Sequence, residues 1–438
     1  MRLFRLKSPH DRDIAQLAVP ALGTLVAEPL YVLADTVIVG HIGTNELAGL
    51  ALASTVLLTV HGLMIFLAYG TTATVARLTG AGEDEESAKV SSQALWAALA
   101  LGTMFAALMV VFSTQLLEIL GANGAVLDAG NRYLRISAVG MPFLLLAIAG
   151  AGSFHGRQNA RLPLLIAVGS ALANLGIEVV LIFGLGYGIG ASALATVIAQ
   201  VGAALAFGSR LLPWAKSFGI SLAPDWARIR AIVVAGQPLI LRTIGLRGSF
   251  TLATAVAARI GVVEVAAHQV GFQVWSTMAL ALDAVAIAGQ SLTGKWLGSG
   301  DTDRARDAAR RMIEIDVGVG TATGVLIIIA RWPLAHAFST DPVVVSTIAA
   351  LLVWVAIAEP VNGYVFALDG ILIGAGDFVY LGRAMFGAAA AFGVALTIVA
   401  ITGAGLTWLW LSLIGFMLLR AATLWWRWRG DHWVVTGA

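Results

Sequence analysis

Apolar runs long enough to cross a lipid bilayer recur along almost the whole of this 438-residue chain. About 20 apolar residues in a helix span the hydrocarbon core, where only helices or closed barrels satisfy every backbone hydrogen bond. Hydrophobic residues make up 59% of the chain and charged residues only 12%, whereas about a quarter of a soluble domain is charged. The sequence therefore predicts an all-α integral membrane protein with no soluble domain of useful size.

Twelve transmembrane helices are predicted where apolar runs lie between polar interruptions. Their ranges are 14–40, 48–77, 91–114, 129–154, 163–183, 189–213, 229–257, 266–296, 309–332, 345–373, 380–402 and 405–427. The opening residues MRLFRLKSPHDR lead into the first span without a small-residue cleavage site, so no removable signal peptide is predicted. The chain has no cysteine, which excludes disulfides and thiolate metal sites.

Lys and Arg are distributed unevenly between the two sides of the predicted bundle. With a cytoplasmic N-terminus, 21 of the 27 Lys and Arg lie in cytoplasmic segments or at cytoplasmic span ends, and 4 lie outside. The remaining two, Arg242 and Arg247, fall within a span. Under the positive-inside rule this bias predicts that both termini are cytoplasmic. The expected location is the inner (plasma) membrane.

An internal repeat appears when the second half of the sequence is aligned without gaps on the first, so that position 238 meets position 20. HIGTNELA (41–48) then aligns with RIGVVEVA (259–266), and GAGE (80–83) aligns with GSGD (298–301). Prolines and glycines also coincide, in the pairs Pro20 and Pro238, Pro142 and Pro360, and Gly156 and Gly374. One offset that serves both ends of each half indicates an ancient duplication.

The repeat predicts two lobes of six helices. Because six is even, both lobes begin on the same side of the membrane and are related by a pseudo-twofold axis along the membrane normal. The predicted boundaries are 1–208 for the N-lobe, 209–230 for a cytoplasmic linker and 231–438 for the C-lobe. This arrangement favours alternating access by a transporter.

Several predicted spans contain polar residues at helical spacing. Thr24, Glu28, Tyr31 and Asp35 share one face of the first span, and Asn174 and Glu178 share a face of the fifth. A carboxylate inside the membrane costs roughly 2.5–3.5 kcal/mol, so it usually marks an ion or proton path. In the repeat alignment, apolar residues replace the acids in the second half, which predicts that this polar cluster exists only in the first.

Structural roles for the same residues remain open at this point. Glu28 fits a hydrated helix end or a partner of Arg12, and Asp35 fits a polar cap at the outer end of the span. Asn174 and Glu178 fit a polar pair between packed helices. Thr196 fits a residue that bonds to its own helix backbone.

Three segments resemble the multidrug and toxic compound extrusion (MATE) family, in its DinF-like branch. They are PLYVLADTVIVGHIGTNELAGLA (29–51), ALDAVAIAGQSLTGKWLGSGD (281–301) and ALDGILIGAGD (367–377). The resemblance covers essentially the full chain. It implies a cation-coupled exporter with its coupling site in the N-lobe.

The family pattern implies particular residues for the cation-coupling site. The first-span aspartate matches Asp35, the fifth-span asparagine matches Asn174, and the sixth-span threonine matches Thr196. The acid four residues after the asparagine is commonly Asp in the family, whereas this chain has Glu178. The longer side chain leaves either Na⁺ or H⁺ as the coupling ion at these four residues, and we favour H⁺.

Two adjacent carboxylates in a low-dielectric lobe cannot both ionise cheaply, so Asp35 and Glu178 are expected to share a proton. We expect ion binding to change the packing of the first span near Pro29, which lacks a backbone donor. Tyr31, Glu28 and Tyr133 are the candidate residues of a substrate cavity. The expected substrates are bulky apolar or cationic drugs or toxic compounds.

In the C-lobe, Asp283 is predicted to form an ion pair with Arg242 or Arg247, with a structural role favoured over a substrate-related one, and no role is assigned to Asp369 or Asp377. A lipid-linked precursor flippase of the same superfamily is the alternative function. An intramembrane enzyme is disfavoured because the seven histidines are scattered without metal-binding spacing. The absence of a Walker A motif excludes an ATP-driven pump within this chain. We expect a monomer in the lipid bilayer, with no cofactor and no nucleic-acid partner.

Overall fold

The computed structural model describes residues 8–437, which form α-helices, one π-helical turn and short connections. The helices are α1 (Asp11–Gly40), α2 (Thr44–Met64), α3 (Phe66–Ala81), α4 (Asp84–Val111), α5 (Ser113–Ile119), α6 (Gly124–Val139), α7 (Met141–Gly156), α8 (Arg161–Val179), α9 (Ile189–Ser217), α10 (Trp226–Ile260), α11 (Val262–Gly298), α12 (Thr302–Phe338), α13 (Pro342–Gly374), α14 (Phe378–Thr402) and α15 (Gly405–Arg429). The π-helical turn, Val180–Gly184, follows α8 directly. The predicted all-α fold is confirmed.

Twelve spans fit the lengths and hydropathy of these helices. Eleven helical segments within residues 8–437 are long and apolar enough to cross a membrane, with α2 and α3 together forming one of them. The twelfth span is α6 and α7 taken together, which meet at an angle of 49°. Pro142 lies at the beginning of α7, where its missing N–H and its ring favour a break in the helix.

The described residues divide into two compact units. Residues 23–236 form the N-terminal unit, and residues 8–22 with 237–437 form the C-terminal unit. The beginning of α1 belongs to the C-terminal unit, where Arg311 Nε donates to Asp11 Oδ1 at 2.6 Å. The sequence predicted that all of α1 belongs to the first lobe. An ion pair between residues 300 positions apart cannot be detected from a local sequence pattern.

The two repeats agree in backbone detail at aligned positions. Gly82 and Gly300 end their helices with the same positive φ of 78°, a conformation that glycine adopts without steric cost. Gly152 packs against the backbone of Ala68, and its counterpart Gly370 packs against the backbone of Ala286. The duplication inferred from glycines and prolines therefore corresponds to repeated helix ends and repeated close helix contacts.

Candidate functional site

Asp35 lies buried in the N-terminal unit with partners from two other helices. Its side chain is 5% exposed. Ser192 of α9 donates its hydroxyl to Oδ1, and Tyr133 of α6 donates to Oδ2 at 3.4 Å. The cap considered from the sequence does not describe this environment, because Asp35 contacts side chains of neighbouring helices well before α1 ends at Gly40.

Glu178 lies beside Asp35 and is fully buried, at 0% exposure. Its polar neighbours include Asp35 and Ser192. Neither carboxylate oxygen of Glu178 makes a hydrogen bond of regular geometry to any residue within 8–437. The π-helical turn begins two residues later, and such turns are frequent at functional sites. The structure thus brings together the two acids that the sequence analysis paired.

Asn174 and Thr196 form a hydrogen-bonded pair between α8 and α9. Asn174 Nδ2 donates to Thr196 Oγ1 at 3.0 Å, and both side chains are buried. The hydroxyl of Thr196 therefore faces a neighbouring helix, and its partner is the amide that the resemblance placed in the same site. The four residues proposed for cation coupling all lie within the N-terminal unit.

A cavity of about 290 Å³ opens beside these residues in the N-terminal unit. Its wall includes Asp35, Asn174 and Thr196, together with the predicted cavity residues Glu28, Tyr31 and Tyr133. Most of the remaining wall is apolar, including Leu57, Leu58, Met141, Leu144, Ile148 and Phe207. Two acids and one histidine line the cavity, and its lining residues include no Lys or Arg. The cavity therefore offers a largely apolar surface that contains two acidic side chains.

Glu28 pairs with a histidine that the sequence analysis did not assign. His61 Nδ1 of α2 lies 3.2 Å from Glu28 Oε1, and both residues line the cavity. Arg12, the partner considered from the sequence, lies more than four helical turns earlier on α1. His61 is a single polar residue in an apolar helix, so no helical spacing in the sequence could have identified its pairing with Glu28.

Ser192 is the second residue that sequence reasoning missed. It donates directly to Asp35, and it precedes Thr196 by four positions on α9. Residues four apart share a helix face. The four-residue spacing between Ser192 and Thr196 could therefore have identified Ser192 from the sequence.

The predicted C-lobe ion pair has a different composition in the structure. Arg242 Nη2 donates to Asp369 Oδ2 at 2.6 Å, and Arg420 donates to the same oxygen. Asp283 lies within electrostatic range of Arg242 and Asp369, whereas Arg247 is exposed. Asp369, which had no predicted role, is therefore the acid held between two arginines. Asp377 pairs with Arg427 at 2.5 Å.

No group of three or more His, Cys, Asp or Glu within residues 8–437 is arranged to hold a metal ion. The Asp35 site contains two acids, and its other polar groups are neutral. Its chemistry is that of paired carboxylates surrounded by hydroxyl and amide groups. Such a set can bind a proton, or a monovalent cation with help from neutral oxygens.

The MatE family model matches two stretches of the chain, residues 20–180 and 238–399. The stretches begin at positions 20 and 238, which are equivalent positions of the internal repeat. Together they cover well over half of the chain. The chain therefore belongs to the MatE family and is a multi-pass membrane transporter, not an enzyme.

Named relatives support this assignment. The chain is 30% identical to "Protein DETOXIFICATION 44, chloroplastic" of Arabidopsis thaliana, over 95% of this chain and 81% of that protein. It is 29% identical to "DNA damage-inducible protein F" of Escherichia coli (strain K12), over 97% of this chain and 94% of that protein. The DinF-like resemblance is thereby confirmed.

A solved structure shares the fold. It is described as the outward-facing conformation of a multidrug resistance MATE family transporter of the MOP superfamily. The TM-score is 0.86 with 21% sequence identity, over 95% of each chain.

Proposed function

We propose that this transporter is a secondary active multidrug exporter that exchanges bulky apolar or cationic compounds for H⁺ by alternating access. One observation carries the proposal. The cavity is lined by Asp35, Asn174 and Thr196, and Asp35 also lies beside the buried Glu178. A carboxylate shared by the ion site and the cavity wall can couple the two binding events. The names of the relatives, which refer to detoxification and multidrug resistance, agree with such substrates.

The substrate class follows from the chemistry of the cavity wall. Aliphatic and aromatic side chains bind apolar surfaces without a strict hydrogen-bond pattern, which suits varied compounds. Glu28 supplies a carboxylate for a cationic group, and it pairs with His61 on the same cavity wall. A basic cavity would favour the alternative function, a lipid-linked precursor flippase. The lining of this cavity includes no Lys or Arg, so nothing in it favours that alternative.

The proton is the coupling ion that fits the acid pair best. Glu178 is fully buried beside Asp35, and its oxygens lack regular hydrogen bonds within the described residues. Two ionised carboxylates this close in a dry interior repel each other strongly, and one bound proton removes the repulsion. Na⁺ remains the competing ion, with Asn174 and Thr196 as sources of neutral oxygens.

Proton loading would act on the transport cycle through α1. Pro29 lies between Glu28 and Asp35 and has no N–H, so α1 lacks one hydrogen bond at that turn. A change in the charge of Asp35 alters its bonds to Ser192 and Tyr133, and thereby the packing of this part of α1. We propose that this change in packing displaces the substrate from the cavity.

Dye efflux tests the proposed export. Cells that lack their own exporters and express this chain are expected to accumulate less ethidium, a fluorescent apolar cation, than cells with an empty vector. Dissipating the proton gradient with an uncoupler should abolish the difference. Equal accumulation in the two strains, at verified expression in the membrane, would contradict the proposal.

We also propose that both termini are cytoplasmic and that the membrane is the plasma membrane. Because the chain has no cysteine, single introduced cysteines report topology without a background signal. Ser299→Cys, in the exposed turn after α11, is expected to resist an impermeant thiol reagent in intact cells. Asn123→Cys, in the exposed turn before α6, is expected to react. The reverse pattern would invert the topology.

A further inference from the structure

The C-terminal unit contains two buried acids besides its arginine-bound Asp369. Asp316 lies near the middle of α12 and Glu359 near the middle of α13, and both side chains are 0% exposed. In the repeat alignment their counterparts are Ala98 and Met141. The prediction that the polar cluster of Asp35 and Glu178 exists only in the first repeat does not extend to these acids, which lie at positions that are apolar in that repeat.

Both carboxyl groups of this pair have unsatisfied oxygens. Neither oxygen of Asp316 has a hydrogen-bond partner within residues 8–437. Glu359 accepts one long bond, 3.4 Å, from Asn362 Nδ2, and its other oxygen has no partner within the same residues. Asp369, in contrast, is neutralised by two arginines. Within the described residues, Asp316 thus has no hydrogen-bond donor, and the polar neighbours of Glu359 are the neutral side chains of Asn362 and Thr323.

The backbones of α12 and α13 meet closely at both acids. A Cβ atom on Gly363 would lie 2.2 Å from the backbone oxygen of Asp316, and one on Gly320 would lie 2.3 Å from that of Glu359. Each acid thus lies opposite a glycine of the other helix. Small residues that allow such approach are typical of packed membrane helices. The two carboxyl groups lie in this tightly packed region, away from bulk water.

Among the described residues, no arginine or lysine compensates a negative charge on either acid. Asp283 of α11 interacts unfavourably with Asp316. Arg242 of α10 and Arg420 of α15 are engaged by Asp369 of α13. On α12 itself, Arg311 binds Asp11 of α1 and the nearby Glu314. A buried carboxylate with neither a cation nor a full set of hydrogen-bond donors is unfavourable, and the group avoids this cost by taking up a proton.

We propose that Asp316 and Glu359 form a second proton-binding site, separate from the Asp35 site, that holds protons while α12 and α13 are packed together. Loss of a proton would leave a charge in the interface and favour separation of the helices and entry of water. The site goes beyond the proposed coupling site because it lies in the other unit, at positions that are apolar in the first repeat.

Infrared difference spectroscopy tests this site directly on the purified full-length chain. A protonated carboxyl group has a C=O stretching band that shifts in D₂O, and an ionised carboxylate lacks this band. We expect such bands in the wild type at neutral pH, with one lost in Asp316→Asn and another in Glu359→Gln. The matched control Asp377→Asn should leave them unchanged, because Asp377 is paired with Arg427 and lies outside the proposed site. Retention of every band in both variants would overturn the proposal.

Thermal unfolding provides a second measurement on the same proteins. Asn and Gln resemble the protonated acids in size, so the variants are expected to fold. If the folded chain holds protons that the unfolded chain releases near neutral pH, the wild type loses stability as the pH rises. Each variant should show a smaller downward shift of the melting temperature over that pH interval. Identical shifts in wild type, Asp316→Asn and Glu359→Gln would contradict proton binding at this site.

Discussion

Asp35→Asn is expected to abolish gradient-driven export and to leave the fold intact. Asparagine keeps the size of the side chain and can still accept a hydrogen bond from Ser192 or Tyr133. It cannot take up or release a proton near neutral pH. Ethidium export from proteoliposomes should fall to the level of vesicles without protein, while the melting temperature changes little.

Asp128→Asn is a suitable control for this variant, because it makes the same chemical change at an exposed acid on α6. It should export ethidium at the wild-type rate. Transport by Asp35→Asn at the wild-type rate would mean that Asp35 is a structural residue, and the proposed coupling site would fail.

Glu178→Gln is expected to flatten the pH dependence of export. The variant removes one member of the acid pair, so Asp35 no longer has a second carboxylate with which to share a proton. Export by the wild type should vary with pH across the neutral range, and export by the variant should vary much less. The measurement is the initial rate of ethidium export over a series of pH values.

Leu396→Gln is the matched control, because Leu396 is the repeat counterpart of Glu178 and is also fully buried. A buried amide without partners costs about 1–3 kcal/mol, so this variant should lose stability. Its pH profile should keep the wild-type shape. A pH profile that is unchanged in Glu178→Gln, or flattened equally in Leu396→Gln, would contradict an ion site confined to these N-terminal residues.

Hydropathy and repetition predicted most of the fold. Long apolar runs leave a helical bundle as the simplest way to satisfy the backbone inside a membrane. The repeat alignment located helix ends in both halves, including the left-handed Gly82 and Gly300. The division of α1 between the two units escaped prediction, since it depends on contacts of Asp11 with Arg311, far away in the sequence.

The sequence predicted which residues of the candidate site share a face of one helix. It predicted less well which residues of different helices contact each other. Spacings of three and four residues identified the faces that contain Asp35 and Glu178. The hydroxyl that completes the environment of Asp35 comes from Ser192, which lies 157 residues away. Helix periodicity contains no information on which faces of distant helices meet. The same limit applies to Asp316 and Glu359, whose positions matter only because α12 packs against α13.

Export under separately imposed ion gradients tests most directly the claim that the Asp35 site couples drug export to protons. Proteoliposomes loaded with ethidium would receive either a pH gradient in sodium-free buffer or a sodium gradient at equal pH. We predict that the inward proton gradient alone drives export by the wild type and fails to drive it in Asp35→Asn. Export that requires the sodium gradient and ignores the pH gradient would contradict this account.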